Sequence, residues 1–195
     1  MSDATPRRCR ISLDRRAWNI RRKALLMGEV RDEYIGQALG VADVLAVSYF
    51  HALNHRPHDP EWEGRDRFLL SIGHYAIALY AALMEARILP EGLKPGMDDS
   101  RAHVGRSRIY APGMEITGGI NHGLGIGVGM ALGLRQKGSK AFVYNLMSDG
   151  ELGEGSTWEA AGDCRASRSG QSVCIVDFND QQADEPSTKM LCSNR

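Results

Sequence analysis

Two short apolar runs decide the fold, residues 141–147 (AFVYNLM) and residues 172–178 (SVCIVDF). Both runs are rich in β-branched and aromatic side chains and are bounded by polar residues, a pattern that predicts strands. Residues 154–166, which lie between them, have helical character. A strand, a helix and a second strand in this order predict a right-handed parallel crossover. We therefore expect an α/β fold with a mainly parallel sheet and helices on both of its faces.

Polar residues follow both predicted strands. The first strand runs into residues 148–151 (SDGE) and the second into residues 179–180 (ND). Parallel strands end at one edge of a sheet, where α/β proteins usually bind ligands, so Asp149 and Asn179 are expected to face one another. Carboxylate and amide oxygens suit Mg²⁺ or Ca²⁺, and Gly150 would let the backbone approach a phosphate closely. The alternative is that both segments are ordinary turns.

The rest of the chain adds further helices and one more buried strand. Apolar residues recur at helical spacing in four segments that we predict as helices: residues 13–30, 41–53, 74–87 and 121–137. Residues 68–71 (FLLS) are predicted to form a short buried strand. Residues 90–113 are rich in Gly, Pro and Asp and lack periodicity, so a loop is expected there.

The composition is that of an ordinary globular protein. Of 195 residues, 43% are hydrophobic and 25% are charged, which excludes collagen-like, low-complexity and largely disordered chains. No apolar run reaches the ~18 residues that a membrane helix needs. The four cysteines form no CxxC pair and lack zinc spacing, so we expect a reducing, cytoplasmic environment.

The charge is balanced overall but is distributed unevenly. The chain has 24 basic and 24 acidic residues, whereas residues 1–23 carry eight basic groups against two acidic ones, a net charge of +6. Such an arm would suit nucleic acid or a transit peptide. The simpler interpretation is a frayed start followed by a solvated amphipathic helix. The apolar residues of that helix recur at spacings of three and four: Leu13, Ala17, Ile20 and Ala24.

Three segments, taken in order, resemble the N-terminal thiamine-diphosphate-binding region of transketolase over residues 28–191. The first segment, residues 55–74, includes RDRF and ends in Gly-His. The second, residues 112–131, begins with PGMEITGG, and the third, residues 149–179, begins with DGE and closes at Asp-Phe-Asn. Three matches in order and with matching spacing are far more specific than any one of them.

This resemblance implies a division of the chain and a metal site. Residues 1–27 would form a basic arm and the start of the first helix, and residues 28–195 a thiamine-diphosphate-binding domain that is incomplete at its C-terminus. Asp149 and the side chain of Asn179 would bind Mg²⁺ or Ca²⁺, and the carbonyl of Gln181 would complete the protein ligands. The metal would bridge the two phosphates of thiamine diphosphate.

The resemblance also implies roles for residues around the cofactor. His74 would contact the diphosphate or the substrate, whereas its position alone, at a strand-to-helix junction, favours a helix cap. Gly150 would meet the diphosphate through its backbone, and Gly118 would line the cofactor pocket. Glu154 matches a family glutamate placed at the interface between the two active sites. His103 lies in a loop where the family often carries a histidine near the cofactor.

One segment departs from the family pattern. Residues 33–36 read Glu-Tyr-Ile-Gly where the family usually has Gly-His-Pro-Gly, so Tyr34 takes the place of a histidine that contacts substrate. A phenol donates and accepts hydrogen bonds, but its pKa of ~10 makes it a poor proton shuttle at neutral pH. The usual sugar-phosphate specificity is therefore expected to be altered at Tyr34.

The function implied by the resemblance is transfer of a two-carbon ketol unit between ketose and aldose sugar phosphates. The family's second domain holds the aminopyrimidine of the cofactor and supplies an activating glutamate. We expect either a separate chain or a missing C-terminal region to provide this pyrimidine domain, within a homo- or hetero-oligomer. We expect no ketol transfer by the chain alone. Three alternatives stay open: another thiamine-diphosphate enzyme, such as a 2-oxoacid dehydrogenase component or deoxyxylulose-phosphate synthase; a non-catalytic interaction chain; and a nucleic-acid-binding protein acting through residues 7–23.

Overall fold

A computed structural model describes residues 7–28, 35–91, 115–116, 122–166, 170–181 and 186–190. Among these residues a four-stranded sheet forms the centre of the molecule. Its strands are β1 (Arg67–Leu70), β2 (Glu115–Ile116), β3 (Val143–Ser148) and β4 (Ser172–Asp177). They lie in the order β2-β1-β3-β4, and every neighbouring pair is parallel. The predicted α/β fold with a parallel sheet is confirmed.

Seven α-helices surround the sheet in the described part of the chain. In chain order they are α1 (Arg7–Gly28), α2 (Ile35–Gly40), α3 (Ala42–Val47), α4 (Ala76–Glu85), α5 (Gly123–Gln136), α6 (Gly155–Ala166) and α7 (Ser187–Met190). Two 3₁₀ turns, Gly73–Tyr75 and Gly150–Gly153, follow β1 and β3 directly. None of the described helices has the length and apolar character needed to cross a membrane.

One face of the sheet contributes to a core cluster that also includes residues of α1, α3 and α4. Residues 78–84 of α4 are all buried, as is typical of a helix that is apolar on every side. The apolar stripe of α1 joins the same cluster, because Ala17, Ile20 and Ala24 are buried completely or almost so. The predicted helical spacing is therefore correct, and the inner side of α1 is part of the core. The division at residue 28, where α1 ends, stays a prediction.

The opposite face of the sheet packs against α5 and α6. Strand side chains alternate between the two faces, so Leu146 of β3 enters the α4 cluster while Met147 contacts Leu124, Val128 and Ala160. Gly123 and Gly127 of α5 lie where this helix is close to β3; a Cβ on Gly127 would lie 3.6 Å from Val143 Cγ1. Helices therefore lie on both faces of the sheet, as predicted.

The element boundaries differ in small ways from the predicted ones. The helix predicted over residues 41–53 divides into α3 and a π-helical turn, Ser48–Ala52. In this region Ser48 donates a side-chain hydrogen bond of 2.8 Å to the carbonyl of Val44, a contact that commonly bends helices. The first helix begins at Arg7 rather than at residue 13. Most of the predicted loop, from residue 92 onward, lies outside the described residues.

The strand register brings three chain segments to one edge. Ser148 at the end of β3 pairs with Asp177 at the end of β4. Leu70 at the end of β1 pairs with Leu146, and the amide of Ser71 then donates to the Leu146 carbonyl at 2.9 Å. The residues that follow β1, β3 and β4 therefore meet at the carboxyl edge of the sheet.

Candidate cofactor-binding site

Asp149 lies at the centre of this carboxyl edge and is completely buried. Its Oδ1 accepts a 3.0 Å hydrogen bond from the amide of Gly150, and its Oδ2 accepts a 2.6 Å hydrogen bond from the hydroxyl of Ser187. Its own amide donates to the Asp177 carbonyl at 3.2 Å. Both donors to the carboxylate are neutral, and a buried carboxylate is stabilised most by a neighbouring cation.

The turn after Asp149 is held from inside the protein. The carboxylate of Glu151, which is buried, accepts hydrogen bonds from the Ser71 hydroxyl and from the amide of Ser148, the latter at 2.8 Å. The Thr157 hydroxyl donates to the Glu151 carbonyl at 2.7 Å. The Gly150–Gly153 turn is thus attached to the end of β1, the end of β3 and α6.

Asp177, Asn179 and Tyr75 form a second polar group at the end of β4. The hydroxyl of Tyr75 donates to Asp177 Oδ2 at 2.8 Å, and the Nδ2 of Asn179 approaches the same hydroxyl at 3.4 Å. The Oδ1 of Asn179 accepts a 3.0 Å hydrogen bond from the amide of Gln181. Asn179 is an exposed residue, and these hydrogen bonds fix the orientation of its side-chain amide group.

The pKa of Tyr75 connects the two polar groups. Burial raises this pKa well above its usual value, and the hydrogen bond and negative charge of Asp177 raise it further. The charge of Asp149 acts in the same direction, while the Asn179 hydrogen bond opposes it. The Tyr75 hydroxyl is therefore neutral and can donate a hydrogen bond throughout the physiological pH range. Because the charges of both Asp149 and Asp177 act on Tyr75, the three residues form one electrostatic cluster.

His74 lies beside this cluster in the turn that follows β1. Its ring contacts the Tyr75 ring edge to face, with centroids 4.8 Å apart. Burial lowers the pKa of His74, which favours the neutral imidazole at physiological pH. A neutral imidazole both donates and accepts hydrogen bonds, so it suits contact with a polar ligand at this edge.

The oxygen atoms at this edge fit a hydrated Mg²⁺ better than a metal held entirely by protein. Across the described residues no group of three or more His, Cys, Asp and Glu side chains could hold a metal ion. The predicted set instead consists of one carboxylate, one amide oxygen and one backbone carbonyl, from Asp149, Asn179 and Gln181. Mg²⁺ takes few protein ligands and shares the remainder with water and phosphate oxygens. The buried Asp149 carboxylate with neutral donors is the feature that fits a cation.

The other predicted site residues are placed differently or lie outside the described part. Glu154 follows the Gly150–Gly153 turn and is exposed, whereas Asp149 is buried. The Gly150 amide is occupied by Asp149. Tyr34, His103 and Gly118 lie outside the described residues, and their roles stay predictions.

Several polar residues at this edge were not assigned a role from the sequence. They are Ser71, Tyr75, Glu151, Asp177 and Ser187. Ser71 and Asp177 have the same signal as Asp149, since each lies at the carboxyl end of a predicted strand. The contact of Glu151 with Ser71 and that of Ser187 with Asp149 join residues distant in the chain and have no comparable local signal.

A parallel sheet with polar and acidic residues at its carboxyl edge is typical of an α/β domain that binds a ligand at that edge. The family model described as the transketolase thiamine diphosphate binding domain matches residues 23–194 of this chain. The chain therefore belongs to the transketolase family, and it matches that family through this domain.

Curated relatives agree with this assignment. A transketolase family protein from Sinorhizobium fredii is 63% identical over 185 residues, which cover 93% of this chain and 66% of the relative. A subunit of the apulose-4-phosphate transketolase from Actinobacillus succinogenes is 34% identical, with 93% of this chain and 68% of the relative covered. The chain thus spans about two thirds of the length of these relatives, and 24% of the length of human transketolase.

Solved structures show the same fold. Transketolase from Campylobacter jejuni superimposes with a TM-score of 0.78 at 28% identity, covering 89% of this chain and 29% of that one. A transketolase variant from Pichia stipitis in complex with fructose 6-phosphate gives a TM-score of 0.71 at 26% identity, covering 89% and 28%. The similarity confirms the predicted family resemblance and fold class.

Proposed function

We propose that this chain is the thiamine-diphosphate- and Mg²⁺-binding part of a two-component transketolase. The observation that carries the proposal is the buried Asp149 carboxylate at the carboxyl edge of the sheet. Among the described residues its hydrogen-bond donors, Ser187 and Gly150, are both neutral. Asn179 follows the neighbouring strand and belongs to the same cluster. This arrangement favours a cation next to Asp149.

Asp149, the Asn179 side chain and the Gln181 carbonyl would hold Mg²⁺ between the protein and the cofactor's diphosphate. Thiamine diphosphate, when bound, supplies the carbanion chemistry that carries a two-carbon ketol unit. The protein's own part is to bind and orient. Tyr75 holds Asp177 and Asn179 together, and the neutral His74 offers a hydrogen bond at the same edge.

The names of the relatives support a proposal for the substrates and the partner chain. Two of them are named as parts of larger enzymes: the apulose-4-phosphate transketolase subunit, and a 6-deoxy-6-sulfo-D-fructose transketolase subunit from a Clostridium species. We infer that a separate pyrimidine-domain chain completes the active site and that ketose and aldose sugars are the substrates. The exposed carboxylate of Glu154 is available for a contact with a second active site in such an oligomer. Tyr34 is the residue that we expect to alter substrate choice.

Calorimetry with thiamine diphosphate tests the proposal, on the chain alone and mixed with a pyrimidine-domain chain. Binding should require Mg²⁺ and should be lost in Asp149→Ala, whose fold should stay largely intact. Asp163→Ala is the matched control, because it removes an exposed carboxylate from α6 and should leave binding unchanged. Cofactor binding that persists in Asp149→Ala, or that is independent of the metal, would contradict the metal assignment.

Substrate assays separate this function from its alternatives. The assembled enzyme should transfer a ketol unit from a ketose to an aldose, and the named substrates of the relatives are suitable donors to compare. Decarboxylation of a 2-oxoacid with no ketol transfer would indicate another class of thiamine-diphosphate enzyme. Failure of the assembled protein to bind the cofactor would indicate a non-catalytic chain.

A further inference from the structure

Glu151 is the one carboxylate besides Asp149 that is almost completely buried among the described residues, at 1% exposed. Its Oε2 accepts the amide of Ser148 at 2.8 Å, and the Ser148 hydroxyl approaches the same oxygen at 3.4 Å. Its Oε1 accepts the hydroxyl of Ser71, from the end of β1. Both oxygens are thus engaged, and their donors come from two different strands.

Ser71 extends this network to a third element. The Ser71 hydroxyl donates to Glu151 and accepts the amide of Gly123, at the start of α5, at 3.1 Å. A Cβ on Gly123 would lie only 2.4 Å from Ser71 Cβ and 2.6 Å from Asn145 Oδ1. The first turn of α5 therefore lies directly against Ser71, and the network joins β1, β3 and α5 in a fixed arrangement.

Two residues of the network flank Asp149, the proposed metal ligand, in the sequence. Ser148 precedes Asp149, and Glu151 follows it by two residues, so the Glu151 carboxylate bonds back across Asp149. The amide of Leu152 also donates to the Asp149 carbonyl at 3.0 Å. The Glu151 side chain therefore holds the backbone next to Asp149 in place. In this proposal Glu151 does not itself contact the metal.

We propose that Glu151 is a positioning residue that orients Asp149 and Gly150 toward the metal and the diphosphate, with Ser71 as its essential partner. The proposal rests on the proposed function, because it assumes that Asp149 binds the metal. Partners of metal ligands typically contribute 10–100-fold to metal affinity. A carboxylate suits this position because it accepts hydrogen bonds from both Ser71 and Ser148. A glutamine at this position keeps the shape but places an NH₂ group against one donor.

The experiment measures binding of Mn²⁺, as a replacement for Mg²⁺, by electron paramagnetic resonance. The sample is the full chain mixed with a pyrimidine-domain chain and thiamine diphosphate. Asp149→Ala reports on the proposed function and should abolish binding. Glu151→Gln should weaken Mn²⁺ binding about tenfold or more and should change the spectrum of the bound ion. Ile20→Val, in the core of α1, is the control that lowers stability far from this edge and should leave the affinity and the spectrum unchanged.

A second pair of variants tests the coupling between Glu151 and Ser71. Ser71→Ala should also weaken binding, and the double variant Ser71→Ala/Glu151→Gln should be little worse than the more affected single variant. Hydrogen exchange of the metal-free chain provides an independent measurement, in which either variant should increase exchange in residues 148–153 before the rest of β3. This readout remains available if a variant binds no metal at all.

The outcomes separate the two proposals. Wild-type affinity and spectrum in Glu151→Gln, with binding lost in Asp149→Ala, would overturn the positioning role and leave the metal site standing. Additive effects of the Ser71 and Glu151 variants would overturn their partnership. Full Mn²⁺ binding in Asp149→Ala, or none in the wild type, would overturn the proposed function and this inference with it.

Discussion

The hydroxyl of Ser187 donates a 2.6 Å hydrogen bond to Oδ2 of Asp149, although the two residues are 38 positions apart in the chain. Both residues are completely buried. The contact attaches the short helix α7 to the carboxyl edge of the sheet, beside the proposed metal ligand. The Ser187 hydroxyl thus supplies a hydrogen bond to a carboxylate oxygen that is also a candidate metal ligand.

The first prediction concerns this contact. Ser187→Ala should lower the stability of the metal-free chain by about 1–3 kcal/mol, because it leaves a buried carboxylate oxygen without its donor. For a chain of this size each kcal/mol lowers Tm by about 2–4 °C. Saturating Mg²⁺ and thiamine diphosphate should reduce the difference from the wild type, since the metal then compensates Asp149. Thermal denaturation with and without both ligands measures this.

Ser187→Thr is the matched control for that prediction, because it keeps the hydroxyl. It should retain more stability than Ser187→Ala in the absence of ligands. An equal loss of stability for Ser187→Ala in the metal-free and the metal-loaded protein would contradict the idea that the hydroxyl and the metal serve the same carboxylate.

The second prediction compares two glycines of α5. Gly123→Ala should destabilise the chain by about 1–3 kcal/mol, because its Cβ would lie 2.4 Å from Ser71 Cβ and 2.6 Å from Asn145 Oδ1. Gly129→Ala, in the same helix, adds a Cβ with no other described residue's atom within 4 Å, so it should stabilise the chain by up to ~1 kcal/mol. Urea unfolding should therefore shift in opposite directions. Equal shifts would show that α5 does not approach Ser71 so closely.

Local sequence patterns were sufficient to predict most of the fold. The β-branched runs of β3 and β4 and the polar residues that follow them are short-range signals, as is the apolar spacing of α1. The long helical connection between β3 and β4 indicated a parallel pair. Two neighbouring parallel strands need such a connection, because the chain must return to the end of the sheet where the first strand began. Three of the four described strands were found in this way, and β2, with only two residues, had too little pattern to detect.

The contacts that organise the site could not be predicted in the same way. Ser71 and Glu151 are 80 positions apart, and Tyr75 and Asp177 are 102 apart. These pairs meet only because β1 lies next to β3 and β3 next to β4, and the sequence patterns gave no strand order. The family resemblance named Asp149 and Asn179 as ligands, whereas the residues that hold them in place depend on tertiary packing.

The third prediction concerns Tyr34, which takes the place of a family histidine. If it lines the substrate channel, Tyr34→Phe should change the kinetics with donor or acceptor more than the affinity for thiamine diphosphate. Tyr34→His should shift activity toward ordinary sugar phosphates, since imidazole exchanges protons near neutral pH. Steady-state kinetics of the assembled enzyme with each donor measures both effects. Unchanged kinetics in both variants would mean that Tyr34 does not occupy the histidine position.

The fourth prediction is a pH dependence that arises at Tyr80, in the centre of α4. Its hydroxyl is buried and has no hydrogen-bond partner among the described residues, and burial raises its pKa to about 12. The unfolded chain releases this proton near pH ~10, so the unfolded state binds fewer protons than the folded state between these values. The Tyr80 contribution to stability is therefore complete below pH ~10 and decreases as the pH rises toward 12.

Tyr80→Phe removes both the ionisable group and the unsatisfied hydroxyl. At pH 7 its free energy of unfolding should equal or exceed that of the wild type, because no hydrogen bond is lost. Between pH 10 and 12 the variant should lose less stability than the wild type, although Tyr75, whose pKa is also raised, continues to contribute. Urea unfolding at a series of pH values measures both effects. A variant that is clearly less stable at pH 7 would reveal a partner for the Tyr80 hydroxyl, and parallel pH profiles would exclude Tyr80 as a source of the alkaline loss.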